Sequence, residues 1–302
     1  MPPRVLAIVL NWNSAGDTIE CVAALGRQSY PDCEVLIVDN GSDDGSARRI
    51  RAAVPAVPML ELGDNLGYAG GNNRGIAQGL RQGCAYVWLL NPDVRVAPDA
   101  LAMLVDAAAN QPRAALLGPK VCMREDPQRI LSAGGVLHGG CVAGHRGIGE
   151  LDVGQFDRPD DVDFVTGCAL LARREAIEAI GPLDESFFLY QEEVDWCRRA
   201  HAAGLAVRYV PAARVWHPDT RVRDAQSPLV TYYITRNTLR FARKHRIGGA
   251  AMARLLSRHA RTLLSWSVRP AWRHKRRQRD ALARALLDFA AGRSGRARLR
   301  LE

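Results

Sequence analysis

Val5-Leu-Ala-Ile-Val-Leu-Asn-Trp-Asn13 is followed by Glu34-Val-Leu-Ile-Val-Asp-Asn-Gly-Ser42 and later by Ala85-Tyr-Val-Trp-Leu-Leu-Asn-Pro-Asp93. Each is an unbroken apolar run that ends in a polar cluster. Short runs of this kind predict strands buried on both faces, at 5–10, 34–38 and 85–90. A further strand is predicted at 57–62. Helical patterns at about 15–28 and 46–53 separate the first three strands. The Gly-rich stretch 63–75 and a helix to about 82 precede the last. This β-α-β-α order predicts an α/β fold with a mostly parallel central sheet flanked by helices. The polar clusters all fall at carboxyl ends of strands, the edge where open α/β sheets bind ligands.

Working outward, 98–110 reads as a helix and 114–121 as a strand. The charge-mixed, Gly-rich 124–161 reads as an excursion over the site. Strand 162–172, helix 174–180, helix 191–203 and short strands at 205–210 and 214–217 follow. From Pro228 on the pattern is helical, with breaks near Gly248-Gly249 and Pro270.

The chain has 302 residues, 47% apolar and 24% charged, the balance of a globular protein with a sizeable core. Its net charge of +9 is split unevenly: residues 1–220 carry −8 and residues 221–302 carry +17. Two regions are therefore expected, a catalytic body over 1–220 and a basic helical extension over 221–302. The seven cysteines form no C-x-x-C pair, and most of them are expected as buried reduced thiols of a cytoplasmic protein. No run approaches 18 apolar residues, so membrane contact is expected to be peripheral, at the inner face of the cell membrane. Leu263, Leu264, Trp266, Trp272, Leu286 and Leu287 alternate with arginines, as in basic amphipathic helices on an anionic surface. Packing on the body or on a second subunit, as a homo-oligomer, is the alternative. Nucleic acid is not expected as a partner, because the basic segment lacks interleaved stacking aromatics and the body is acidic.

Five constellations can carry chemistry, and each has a structural alternative. Asp39 with Ser42 can accept from a base imide or a ribose hydroxyl, or form an Asx turn. Asn65–Gly75 lets backbone approach a ligand, or makes a tight turn. Asp93 in Asn91-Pro-Asp93 can bind a divalent cation that also grips a diphosphate, or serve as a turn residue. Glu192, Glu193 and Asp195 crowd a helix start, where the dipole alone favours acids. Glu192, Asp195 and Trp196 share one face and Glu193 points elsewhere, and one of the acids can act as a general base. His217 can be a metal ligand or a satisfied structural histidine.

Taken in order, these segments resemble the inverting glycosyltransferases of family 2, which have the GT-A (Rossmann-like) fold. The similarity extends from about Arg4 to Arg246 and is greatest to rhamnosyltransferase-like bacterial members. Thr166-Gly-Cys-Ala-Leu-Leu171, Gly181-Pro-Leu-Asp-Glu-Ser-Phe-Phe188 and Val210-Pro-Ala-Ala213 complete the matching set. The resemblance implies that Asn13, Asp39 and Ser42 line the pocket for the base of a nucleoside-diphosphate sugar. Asn72 and Asn73, expected in a turn, would border the ribose and diphosphate, and Arg236, in Arg236-Asn237, would lie near the donor diphosphate. Asp93 occupies the second Asp of the family's D-x-D motif, and His217 a further metal position, for a divalent cation (Mg2+ or Mn2+). Glu193 falls at the general base, with Glu192 the alternative. Two departures stand out: the first Asp of D-x-D is Asn91, and the base position holds Glu rather than Asp. The implied activity moves a sugar, with rhamnose from its dTDP derivative the leading candidate, to a glycan or lipid-linked acceptor of the cell envelope. The competing reading is a nucleotide-sugar-binding module without catalysis.

Overall fold

The computed structural model describes residues 1–297; the end of the basic region, 298–302, lies outside the described residues. The element order is β1 (Val5–Asn11), α1 (Ala15–Leu25), β2 (Cys33–Asp39), α2 (Ser46–Ala53), β3 (Met59–Glu61), α3 (Gly67–Arg81) and β4 (Tyr86–Leu90). Then come β5 (Arg95–Val96), α4 (Ala100–Asn110), β6 (Ala114–Met123), β7 (Ile130–Ser132), β8 (Gly135–His138), β9 (Val142–His145) and β10 (Asp160–Asp161). β11 (Ala169–Arg173), α5 (Arg174–Ile180), α6 (Glu192–Ala202) and β12 (Ala206–His217) follow. The remainder is helical: α7 (Arg221–Asp224), α8 (Pro228–Lys244), α9 (Gly249–Val268), a 3-10 turn (Pro270–Lys275) and α10 (Arg276–Ala290).

The main sheet runs β10-β12-β6-β11-β4-β1-β2-β3. Pairing is parallel for β1 with β2 and β4, for β2 with β3 and for β6 with β12. β11 is antiparallel to both neighbours. The α/β expectation holds, and every residue of β1, β4 and β6 is buried.

Four local readings need correction. The Gly-rich 63–75 is largely not a loop, because α3 starts at Gly67. A Cβ on Gly71 would meet Leu10 at 2.5 Å, one on Gly75 would meet Ile8 at 2.7 Å, and one on Gly79 would meet Val87 at 2.8 Å and Leu6 at 3.2 Å. Four helical residues rise about 6 Å and two strand residues about 6.6 Å. Glycines at i, i+4 and i+8 therefore match alternate residues of β1, and the helix lies directly on the strand. The excursion 124–161 carries short strands β7 to β10. The strand expected at 162–172 is regular only from Ala169. The two strands expected at 205–217 are one, β12, with a register shift between Val210 and Arg214 at Pro211, since proline cannot donate to the ladder.

The described chain forms two compact units. The first comprises Met1–Val136, Gly144–Glu185 and Glu192–Asp219. The second comprises Leu137–Ala143, Ser186–Gln191 and the chain from Thr220 onward. In the second unit Ser227 caps α8 by accepting from the Val230 amide at 3.3 Å, with Pro228 in the first turn. Tyr232 and Tyr233 of α8 pack with Ala281 and Ala285 of α10. No helix among the described residues is long and apolar enough to cross a membrane.

Candidate active site

Parallel pairing sets Asn11 opposite Asp39 at the ends of β1 and β2. Asn11 Nδ2 donates to Asp39 Oδ1 at 2.6 Å and to Ser42 Oγ at 3.0 Å. The Ser42 hydroxyl donates to the same Oδ1 at 2.6 Å, and its amide to Oδ2 at 3.1 Å. Thr18 donates to Asn11 Oδ1 at 2.8 Å. Asn13, at φ 53°, gives its amide to Ser42 Oγ at 2.9 Å and exchanges two bonds with Asp43. Asn13, Asp39 and Ser42 thus belong to one network. Its buried centre, Asn11, carries no charge signal and escaped the sequence reading.

Asn72 and Asn73 lie inside α3, not in a turn. Asn73 is pinned to the backbone of Leu183, donating at 2.9 Å and accepting at 3.0 Å. Asn72 Nδ2 bonds Tyr68 O within the helix, and its buried Oδ1 has no hydrogen-bond partner.

Asp93 and His217 meet. β12 pairs with β5, setting Trp216 against Arg95, so the next residue, His217, arrives beside Asp93. His217 Nε2 is 3.2 Å from Asp93 Oδ1 and 3.3 Å from Asn91 Nδ2. Nδ1 lies 2.8 Å from Pro218 O. With Nδ1–H donating to that carbonyl, the Nε2 lone pair faces the carboxylate, and a buried oxygen and a ring nitrogen oppose each other with no donor between them. Asp93 Oδ1 has no well-formed hydrogen bond. Burial pushes His217 down, but the hydrogen bond and charge of Asp93 outweigh it and hold the imidazole above its ordinary value. Burial pushes Asp93 up, and His217 and Arg124 more than reverse it. Either a proton or a cation satisfies this facing pair, so the donor set fits a divalent ion. It supplies two protein ligands, and no group of three His, Cys, Asp or Glu that could hold a metal occurs among the described residues.

Glu192, Asp195 and Trp196 are buried, and Glu193 is partly exposed, as the helical spacing requires. Asp195 is bound to Arg199 at 2.9 Å, and Trp196 donates to Gly181 O at 2.8 Å. These anchor α6. Burial raises the Glu193 carboxyl above its ordinary value, against two backbone hydrogen bonds. Tyr68, in the first turn of α3, donates to Gly167 O at 2.6 Å. A Cβ on Gly167 would lie 2.8 Å from the Tyr68 hydroxyl and 3.6 Å from Glu193 Cβ. Tyr68 escaped the sequence reading because its role depends on this close approach. Cys168 ties the two ends together: burial pushes its thiol up to about 12, and Asp93 and Glu193 both add to the rise. Its carbonyl accepts from the Asn91 amide at 2.9 Å.

Arg236 belongs to the second unit and is buried. Its guanidinium donates to Asn237 Oδ1, Tyr232 Oη, Gly295 O and Phe187 O at 2.8–3.2 Å.

The family model of glycosyl transferase family 2 matches residues 7–181, more than half of the chain. The chain belongs to glycosyltransferase family 2. It is 32% identical over 255 residues to an N-acetylglucosaminyl-diphospho-decaprenol L-rhamnosyltransferase of Mycobacterium tuberculosis, covering 76% of this chain and 81% of that one. It is 29% identical over 222 residues to the galactofuranosyltransferase GlfT1 of the same species, covering 72% and 71%. Among solved structures, the mannosyltransferase PcManGT of Pyrobaculum calidifontis, in complex with GDP-Man and Mn2+, superposes with a TM-score of 0.61 at 16% identity. That match covers 96% of this chain and 88% of the other, and it establishes the GT-A fold. The protein is a rhamnosyltransferase-like member of the family.

Proposed function

We propose that this glycosyltransferase moves a sugar, with inversion, from a nucleoside-diphosphate sugar to a hydroxyl of a glycan or lipid-linked acceptor in cell-envelope polysaccharide synthesis. The likeness to a rhamnosyltransferase favours dTDP-rhamnose as donor. The observation that carries the reading is the buried Asp93 oxygen facing His217, with partly exposed Glu193 close enough that both acids raise the Cys168 thiol.

Asn13, Asp39 and Ser42 line the nucleoside end, where Asp39 accepts from the base and Ser42 holds its rotamer. Asn72 offers its unpartnered oxygen to the donor, while Asn73 fixes the segment at Leu183. Asp93 and His217 hold a divalent cation, which when bound neutralises charge on the departing diphosphate. His217 gives Nδ1–H to Pro218, which leaves Nε2 as the acceptor that faces Asp93 and Asn91. Asn91 removes one negative charge from the D-x-D motif, so fewer protein charges compete with the diphosphate. Glu193 takes the proton of the acceptor hydroxyl as that oxygen attacks the anomeric carbon, and burial makes it a stronger base than an exposed glutamate. A single displacement with a single base inverts the centre. Buried Glu192 supports the helix start.

A thermal-shift screen of nucleotide sugars with Mn2+ or Mg2+ tests this, because a ligand of the native state raises the melting temperature. A metal-dependent shift with dTDP-rhamnose, followed by transfer to a polyprenyl-diphosphate glycan, is expected. Binding without transfer to any hydroxyl acceptor would favour the non-catalytic module.

The basic region is assigned to an anionic membrane surface. Residues 225–279 contain 14 Lys or Arg and no Asp or Glu. Leu256, Leu264, Val268 and Trp272 are exposed among them. Full-length protein with Leu264→Glu and Val268→Glu should lose sedimentation with anionic vesicles. Unchanged sedimentation together with a smaller particle in solution would assign the surface to a second subunit.

A further inference from the structure

Arg124 belongs to the same unit as Asp93 and His217 and lies one residue beyond the end of β6. Met123 pairs with His217 in the parallel β6–β12 ladder, and the Arg124 amide donates to His217 O at 3.0 Å. The backbone of the arginine is thereby fixed against the histidine. Its side chain reaches the first turn of α1, where Nη1 lies 3.4 Å from Asp17 Oδ1. Both anchors border the segment Asn91–Asp93. His217 Nε2 is 3.3 Å from Asn91 Nδ2, and Cys21, one turn beyond Asp17 in α1, has its sulfur 3.8 Å from Asn91 O. Burial and mutual hydrogen bonding dominate Asp93 and His217, yet the charge of Arg124 still acts on both and lowers each.

A guanidinium offers five N–H donors in a planar fork. Among the described residues the fork of Arg124 makes one hydrogen bond, the long one to Asp17, whose other oxygen accepts from Ser14 at 2.8 Å. The side chain is 29% exposed, so its other donors can meet a ligand. A half-buried arginine with an unfilled fork suits an anion that carries several acceptor oxygens. Charge points the same way. Asn91 removes an acid from this strand end and Arg124 adds a cation, so the cleft repels a diphosphate less than a full D-x-D motif would.

We propose that Arg124 binds the diphosphate of the donor directly, and that it does so without a divalent cation as well as with one. The inference rests on the reading of Asp93 and His217 as the diphosphate end of a nucleotide-sugar site. It adds a second grip on the leaving group. When the acceptor oxygen bonds to the anomeric carbon and gives its proton to Glu193, the bond to the diphosphate oxygen breaks and that oxygen keeps the electron pair. The fork of Arg124 stabilises the charge so formed.

The test is calorimetry on the full-length protein with the tightest-binding of dTDP, UDP and GDP and with the matching nucleoside, in Mn2+ and separately in EDTA. Wild type is compared with Arg124→Gln and Arg124→Lys. The exposed 3.4 Å pair with Asp17 contributes little to stability, so both variants should fold. Arg124→Gln should weaken the nucleoside diphosphate about 10- to 100-fold in both conditions, the worth of a hydrogen bond to a charged group. Nucleoside affinity should not change, since Asp39 and Ser42 hold that end. Arg124→Lys keeps the charge without the fork and should fall between. In EDTA the wild type should still prefer the diphosphate to the nucleoside, and Arg124→Gln should lose that preference. Equal diphosphate affinity in wild type and Arg124→Gln would overturn the inference. So would an equal loss of diphosphate and nucleoside, which would make Arg124 a structural support. A loss confined to Mn2+ would overturn it too, by assigning Arg124 to the support of the metal pair. If Arg124→Gln does not fold, Arg124→Lys decides by the same ratio of diphosphate to nucleoside affinity. Failure of the wild type to bind any of the three diphosphates in either condition would instead remove the donor reading itself, and the inference with it.

Discussion

Asp39 and Asp93 close the strands on either side of β1, yet their surroundings are opposite. Asp39 receives hydrogen bonds from the Asn11 amide, the Ser42 hydroxyl and the Ser42 backbone. Asp93 has a buried oxygen 3.2 Å from the His217 ring nitrogen. The first carboxylate is satisfied by neutral donors of one network, whereas the second leans on charge from His217 and Arg124. Glu193 differs from both, because burial raises it and only two backbone hydrogen bonds oppose the rise. Substituting a satisfied carboxylate should therefore cost stability, and substituting an unsatisfied one should cost activity while sparing the fold.

The largest effect is expected at Glu193. Glu193→Gln should reduce turnover by about 10²- to 10⁴-fold, the usual contribution of a general base, with donor binding retained in calorimetry. Its stability effect has the opposite sign. A carboxyl raised in the folded state stabilises below its unfolded value, and that contribution is lost as pH rises through the folded value. At neutral pH the wild type carries that loss and Gln does not. Glu193→Gln should melt higher than wild type at pH 7, with the gap closing toward pH 4.

Asp93→Asn should come next, lowering metal-dependent transfer by about 10²- to 10³-fold, as expected for several kcal/mol of charge stabilisation. Its melting temperature without metal should stay close to wild type at pH 8 and fall below it at pH 6, where the ion pair with His217 is present. The accompanying pH effect follows from His217, whose value is raised by Asp93. Their ion pair stabilises the apo-protein fully below the unfolded imidazole value and loses that contribution as pH rises through the folded one. On the acid side, Asp93 is lowered, so its contribution is lost as pH falls through that lowered value. Protons compete with cations at Nε2. The thermal shift given by Mn2+ and nucleotide should consequently be larger at pH 8 than at pH 6, and His217→Gln should flatten the difference.

Asp39→Ala should unfold more readily by about 1–3 kcal/mol, the cost of leaving buried donors unpaired, measured by denaturant titration. At the rim of the same network, Asp43→Ala removes the one exposed bond that its carboxylate accepts from Asn13 Nδ2 and should change stability by less than about 0.5 kcal/mol. Equal costs at Asp39 and Asp93 would erase the distinction between the two strand ends.

The central strands were legible because β-branched runs such as Val5–Asn11 admit few other readings. Asp39, Asp93 and Glu193 were legible as polar residues at the ends of such runs or at a helix start. At α3 the glycines look loop-forming one by one, whereas their period of four marks a helix lying on β1. At β12, Pro211 marks an irregularity within one strand rather than an end. Tyr68 and Asn237 depend on which backbone lies within 3 Å of them, Gly167 for one and Phe187, Leu189 and Tyr190 for the other. No local pattern encodes those meetings, and the left-handed residues Phe188, Tyr190 and Gln191 include no glycine to announce the turn.

The grouping of 137–143 and 186–191 with the C-terminal helices has a consequence for how this protein can change over generations. A gene fusion or truncation near position 220 would not exchange one cassette for another. It would strand two short loops whose partners are encoded far downstream, among them the one that leads into Glu192 and Glu193. The acid-poor helices and the catalytic body are thus a single heritable piece, and swaps of acceptor preference between relatives should carry both loops along with the tail.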